Sequence, residues 1–168
     1  GRDMRDMLQF IGQELGGGLD WDYLKAVREE WNGPLVLKGV LHSAEAIEAV
    51  SIGYDGIMVS NHGGRQFDGA PAAISVLPEI AEAVGQRAKI LFDSGIRGGL
   101  DIIRALALGA DFVLLGRGFM YGVGALGRRG GDHVAEILKA DLANNMIQLG
   151  CRSIAQIKER GARAPSPS

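Results

Sequence analysis

The sequence predicts an α/β protein built as the carboxyl-terminal half, four βα units, of a (β/α)8 TIM barrel. Three observations carry that expectation. Four short apolar runs, Leu35 to Leu37, Gly56 to Val59, Ile90 to Phe92 and Phe112 to Leu115, have the length of buried strands and alternate with helical patterns. The connections are short, so a parallel sheet with helices outside is expected. Ala49 to Asn61 (AVSIGYDGIMVSN) also aligns with Ala105 to Arg117 (ALALGADFVLLGR), sharing the glycine stop, the aspartate two residues later and the buried strand. Two copies of one βα design suit a barrel, with a doubly wound sheet as the alternative. A closed barrel needs eight units and about 250 residues. Four strands leave two open edges that demand pairing, so an amino-terminal half barrel, absent here or contributed by another polypeptide, is expected.

The elements follow in order. Residues 1–19 mix charges with Met4, Met7, Leu8, Phe10 and Ile11 and end in a glycine run, which reads as the end of a long flexible loop. The half barrel spans 20–150. Asp20 caps a helix from Trp21 to Glu30, stopped by Asn32, Gly33 and Pro34. After the first strand, with Lys38 and Gly39 at its end, Ser43 caps a helix that Gly53 stops in the left-handed conformation. Pro71 to Val84 holds the next helix, with Pro78 expected to start its regular part because an interior proline loses a hydrogen bond and clashes. Leu100 to Leu108 is helical with Gly109 as its stop, and Gly122 to Gly131 reads as a loose glycine and arginine stretch before a helix from Asp132 to Leu149. Within 151–168, Ser153 and Gln156 form a capping box for a short helix, and Pro165 to Ser168 should fray.

Composition removes several function classes. Net charge is −2 with no basic block, which argues against a nucleic-acid partner. No apolar run nears the roughly 20 residues that span a bilayer. The single cysteine, Cys151, cannot form an intrachain disulfide, so a reducing, cytoplasmic compartment is the simpler expectation. His42, His62 and His133 lie far apart in different kinds of segment, so no metal site is expected.

The chemistry concentrates at the strand ends. Ser60 to Gly69 (SNHGGRQFDG) follows a buried strand, and parallel α/β folds keep their sites at carboxyl ends. There His62 offers an imidazole, a group that titrates near neutral pH, and Arg65 a guanidinium fork suited to a carboxylate. Asp93 to Gly99, with Arg97, and Gly116 to Gly118, with Arg117, are two adjacent glycine-rich turns entering helices, the pattern of a phosphate site. Lys38 could hold an anion beside them, and Asp93 could accept from a sugar or ribityl hydroxyl. Taken singly, each of these residues has a bland counterpart: solvated arginines, a snorkelling lysine, an aspartate capping a helix.

The combination of LVLKG at 35–39, IMVSNHGGRQ at 57–66, DSGIRGG at 93–99 and ALALGADFVLLGR at 105–117 closely resembles the FMN-dependent L-2-hydroxy acid oxidase and dehydrogenase family, in wording most like its bacterial L-lactate dehydrogenase branch. The resemblance runs from Leu19 to Arg160. It implies FMN as cofactor and a small 2-hydroxy acid, L-lactate above all, as substrate, oxidised to the 2-oxo acid. By this resemblance His62 is the catalytic base, Arg65 grips the substrate carboxylate, and Lys38 lies against the pyrimidine edge of the isoalloxazine. Ser60 contacts the flavin, and Asp93, Ser94, Gly95, Ile96 and Arg97 with Gly116 and Arg117 hold the ribityl chain and phosphate. A homotetramer is the family's usual assembly. In its membrane-associated members the loop matching 1–19 carries the membrane contact, so peripheral attachment to an inner membrane is a further expectation.

Two departures qualify the likeness. Gly98 stands where the family often has a second arginine, and the tyrosines it brings from the first half of its barrel have no counterpart. The alternative to an enzyme is a non-catalytic FMN- or phosphate-binding half barrel that needs a partner half. Other FMN or nucleotide barrels share the phosphate loops without requiring His62 and Arg65 together.

Overall fold

The computed structural model describes residues 19–162; the expectations for 1–18 and for Pro165 to Ser168 fall outside them. The chain divides into two compact units at Gly33 and Pro34. In the first, helix α1 (Trp21–Glu30) is capped by Asp20, whose carboxylate accepts from Tyr23 N at 2.9 Å.

The second unit is a four-stranded parallel sheet with helices after its strands. Strands β1 (Val36–Val40), β2 (Gly56–Val59), β3 (Lys89–Phe92) and β4 (Phe112–Val113) lie in the order β1-β2-β3-β4. Strictly sequential order is that of a barrel wall, whereas a doubly wound sheet reverses at a switch point. The register pairs Leu37 with Ile57 and Ile57 with Ile90, and Val59 with Phe92 and Phe92 with Val113, so the carboxyl ends finish level. β2 is buried at every position, as its unbroken apolar run requires.

Several local expectations are corrected. β1 runs past Leu37, and Lys38 lies inside it; the register slips between Lys38 and Val40, where Gly39 adopts φ 95° as a bulge. His42, not Ser43, caps α2 (Ser43–Ser51), its Nδ1 accepting from Ala44 N at 3.2 Å. Gly53 is left-handed as expected, at φ 98°. Helix α3 (Ala73–Val84) carries Pro78 in its interior rather than at its start. An interior proline costs about 3 kcal/mol. The stripe Ala73, Leu77, Ile80, Val84 is buried, and three large aliphatic side chains at roughly 1.5–3 kcal/mol each outweigh that cost. β4 stops at Val113 rather than Leu115, because β3, its only neighbour among the described residues, ends at Phe92.

The largest correction concerns the glycines after β4. Helix α4 (Gly99–Ala107) precedes that strand, and after it come α5 (Arg117–Leu126), a 3-10 turn at Gly127–Arg129, and α6 (Gly130–Gln148) in place of a loose stretch. A Cβ on Gly122 would stand 2.7 Å from Gly130 O, and one on Gly130 would stand 2.1 Å from Gly122 O. The glycines are there because two helices cross backbone to backbone. In α7 (Ile154–Ala162) the capping pair forms with a shift: Ser153 Oγ accepts from Gln156 N at 3.3 Å, while Gln156 Oε1 reaches Arg152 N at 2.6 Å.

Asp111, ahead of β4, ties the sheet to α7. Its carboxylate accepts from Ile90 N at 3.0 Å and from Lys158 Nζ at 2.6 Å. Burial opposes its ionisation, but the bonds from Lys158 and Ile90 N and the nearby lysine charges outweigh that and hold the carboxyl below its usual 3.8. A depressed folded pKa gives stability that is present above the unfolded value and lost as pH falls through the folded one. Urea midpoints taken from about pH 7 down to about pH 3 should therefore fall more steeply for the native chain than for Asp111→Asn. Equal slopes would remove Asp111 as a source of acid sensitivity.

Candidate active site

The four strand ends open onto one cleft of about 570 Å³. Lys38 from β1, His62 and Arg65 after β2, Asp93, Ser94, Gly95, Ile96 and Arg97 after β3, and Gly116 and Arg117 after β4 all line it. The parallel, level sheet brings them together although they are spread over eighty residues of sequence. Ser60 is the exception. It is fully buried beneath the floor, with its hydroxyl turned to its neighbours.

On the floor Lys38 Nζ lies 3.2 Å from Asp93 Oδ2 and 3.0 Å from Ser60 Oγ. Burial alone would raise the Asp93 carboxyl; hydrogen bonds from Ser60, Ser94 and Lys38, with the lysine charge, reverse that and hold it below the ordinary value. Asp93 is thus a carboxylate in the folded protein at neutral pH, able only to accept.

His62 stands on a 3-10 turn, His62–Gly64, at φ 55°, in the left-handed region. Its own N–H donates to Ser60 Oγ at 3.1 Å, and Gly63 N donates to Asn61 Oδ1 at 3.0 Å. The imidazole packs over the β1 bulge, where a Cβ on Gly39 would meet His62 Cε1 at 2.8 Å. Gly39 is therefore glycine on two counts, its positive φ and this contact. On the other flank a Cβ on Gly63 would meet the Arg117 guanidinium at 2.8 Å, so the end of β4 reaches back to the turn after β2.

The two glycine-rich turns differ electrostatically, which their sequences conceal. At the start of α4, Arg97 N and Gly98 N donate to Asp101 Oδ2 at 3.0 and 3.3 Å, and Gly99 N donates to Asp141 Oδ2. Its backbone donors are already matched to carboxylates. At the start of α5, Gly116 offers no side-chain cap and the first turn holds no acidic residue. The anion-attracting helix end is therefore that of α5, next to Arg117. No carboxylate among the described residues pairs with Arg65, Arg97 or Arg117. The cleft carries a strong excess of positive charge.

Gln66, Leu114, Leu115 and Met120 also line the cleft and were not singled out in the sequence. Gln66 had a signal, since it closes the SNHGGRQ run. Met120 had none, because it lies between the Gly116 to Gly118 turn and the loose stretch read from Gly122, in residues to which no element was given. Among the described residues no His, Cys, Asp and Glu cluster could hold a metal ion, and no helix is long and apolar enough to cross a membrane.

A family model described as FMN-dependent dehydrogenase matches residues 1–164. An L-lactate dehydrogenase of Chromohalobacter salexigens is 42% identical over 155 residues, covering 92% of this chain and 40% of the relative. One of Haemophilus influenzae is 46% identical over 153 residues, covering 91% and 40%. Among solved structures, mandelate oxidase with (S)-4-hydroxymandelic acid superposes with a TM-score of 0.81 at 42% identity, covering 84% of this chain and 40% of that one. A mandelate oxidase variant with the monooxide FMN adduct gives the same score and identity, covering 84% and 45%. The chain spans about two fifths of the length of these relatives. The match runs through nearly the whole sequence and includes every strand end that builds the cleft: the chain belongs to the FMN-dependent dehydrogenase family.

Proposed function

We propose that this chain carries the FMN-binding and catalytic half of an enzyme that oxidises an L-2-hydroxy acid, L-lactate first among the candidates, to its 2-oxo acid. The observation that supports it most is that His62 and Arg65 share one cleft with Arg97 and Arg117. A base and a carboxylate clamp facing a cationic phosphate end is the arrangement that reaction needs.

The residues present fit FMN. An uncapped helix end beside Arg117, with Arg97 across the cleft, suits a phosphate. An ionised Asp93 would suit a ribityl hydroxyl, and Lys38 would supply a cation to offset negative charge gained by an electron acceptor. FMN held there supplies the two-electron acceptor.

The chain's own groups then have separate tasks. Oxidation removes two electrons and two protons from the substrate. Arg65 grips the carboxylate with two parallel charge-assisted bonds and so fixes the position of the α-carbon. His62 takes one of the two protons, a transfer suited to an imidazole at neutral pH. Lys38 is kept in place by Asp93 and Ser60.

The test is reduction of a dye acceptor by L-lactate, with flavin absorbance read on the same purified sample. Arg65→Met should raise KM for the hydroxy acid roughly 10- to 100-fold, the loss of a charged hydrogen-bond pair. An equal loss for an analogue lacking the carboxylate would remove Arg65 as the clamp. Among the described residues β1 and β4 are each paired on one side only, and Phe112 on β4 is 63% exposed. This supports a second reading, in which the chain binds FMN and gains activity only when an amino-terminal half closes the barrel. Flavin absorbance without turnover, restored by adding that half, would favour it. Tetramer formation and peripheral membrane contact remain proposals of the same family likeness.

A further inference from the structure

We propose that Ser94 is a positioning residue for His62, a role that rests on His62 being the base. Three successive backbone N–H groups, those of Asn61, His62 and Gly63, point from the His62 turn toward two serine hydroxyls. Asn61 N and Gly63 N each lie 3.3 Å from Ser94 Oγ, and His62 N lies 3.1 Å from Ser60 Oγ. Ser94 gives its single proton to Asp93, its Oγ donating to Oδ1 at 2.8 Å.

A hydroxyl has one proton and two lone pairs. With the proton committed to Asp93, the lone pairs of Ser94 are left for Asn61 N and Gly63 N. Those of Ser60 go to His62 N and Lys38 Nζ. Every donor and acceptor site of Ser94 is used, so the direction of each of its bonds is fixed by the carboxylate below.

The backbone points to the same pair. Among the described residues the only non-glycine positions with positive φ are His62, at 55°, and Ser94, at 78°. They are the two ends of this strap. Strained backbone persists where its surroundings over-determine it, and it clusters at functional sites. Gly63 N has Asn61 Oδ1 as a second acceptor, whereas among the described residues Asn61 N has Ser94 Oγ alone. Ser94 thus anchors the residue immediately before His62.

Ser94→Gly in the intact protein is the discriminating variant, because glycine accepts φ near 78° without strain while the hydroxymethyl group, and with it the acceptor for Asn61 N, is lost. Amide hydrogen exchange at Asn61 should accelerate roughly 5-fold, the worth of one hydrogen bond, while the amides of Ile57 to Val59 in β2 keep their native rates. In the turnover assay kcat should fall with KM unchanged, since Arg65 still grips the carboxylate. Unchanged exchange at Asn61 would overturn the strap whether or not a hydroxy acid is oxidised. Faster exchange with native kcat would show that the hydroxyl holds the turn without serving the base, and would also overturn it. An unsubstituted protein with bound flavin and no turnover, even after an amino-terminal half is added, would instead sink the role of His62, with the exchange data still deciding whether Ser94 holds the turn.

Discussion

Replacing His62 by glutamine is expected to lower turnover by roughly 10²- to 10⁴-fold, the usual contribution of a positioned general base, while flavin stays bound. Glutamine is close to histidine in reach and hydrogen bonding but accepts no proton near neutral pH. The cofactor cleft should survive, because its floor is built from Lys38, Asp93 and the serines, and its phosphate end from α5 and Arg117. The turn is held by the backbone N–H of position 62 on Ser60, which the substitution leaves in place. The flexible glutamine can occupy the space over Gly39 that the imidazole fills. The measurement is the rate of flavin bleaching by excess L-lactate under anaerobic conditions, with the absorbance of the resting sample as the control. An unchanged rate would remove His62 as base. Loss of flavin with loss of rate would make its role structural.

What the sequence disclosed, and what it hid, follows from how far apart the interacting groups lie. β2 and its loop were legible because everything that defines them is contiguous: an apolar run bounded by glycine, then polar residues at once. The grouping of Lys38, His62, Asp93 and Arg117 followed from topology alone, since parallel strands in sequential order must collect their carboxyl ends. The buried state of Ser60 and its bonds to Lys38 and Asp93 could not be read, because they depend on partners 22 and more residues away. The same distance hid the capping of α4. Asp141 lies 42 residues from Gly99 and fills the helix end that the glycine pattern offered to phosphate. Pro78 was misplaced because a local rule, the cost of interior proline, was set against an apolar stripe whose burial needs the sheet.

The glycines of α5 and α6 misled most, and they lead to the largest expected effect on stability. In Gly130→Ala the new Cβ would stand 2.1 Å from Gly122 O and 2.5 Å from Val123 N. These are backbone atoms of a facing helix, with no rotamer to yield, so α5 and α6 must move apart. Overpacking of this kind costs about 1–3 kcal/mol and sometimes more. Alanine gains up to about 1 kcal/mol over glycine in a helix interior, and less at a first turn, so the clash wins. At about 2–4 °C per kcal/mol for a chain of this size, Tm should fall by roughly 3–10 °C. The next residue supplies the control. A Cβ on Gly131 meets nothing within 4 Å, so Gly131→Ala keeps the propensity gain and should leave Tm level or raise it. Both variants make the same chemical change at neighbouring positions, so opposite signs can come only from the helix crossing. The crossing also sets where the first turn of α5 stands relative to the cleft. Gly130→Ala should therefore weaken FMN retention, measured by fluorescence of released flavin, and Gly131→Ala should not. Equal Tm values for the two variants would mean that α5 and α6 do not meet at Gly122, and the uncapped helix end would lose its claim to the phosphate.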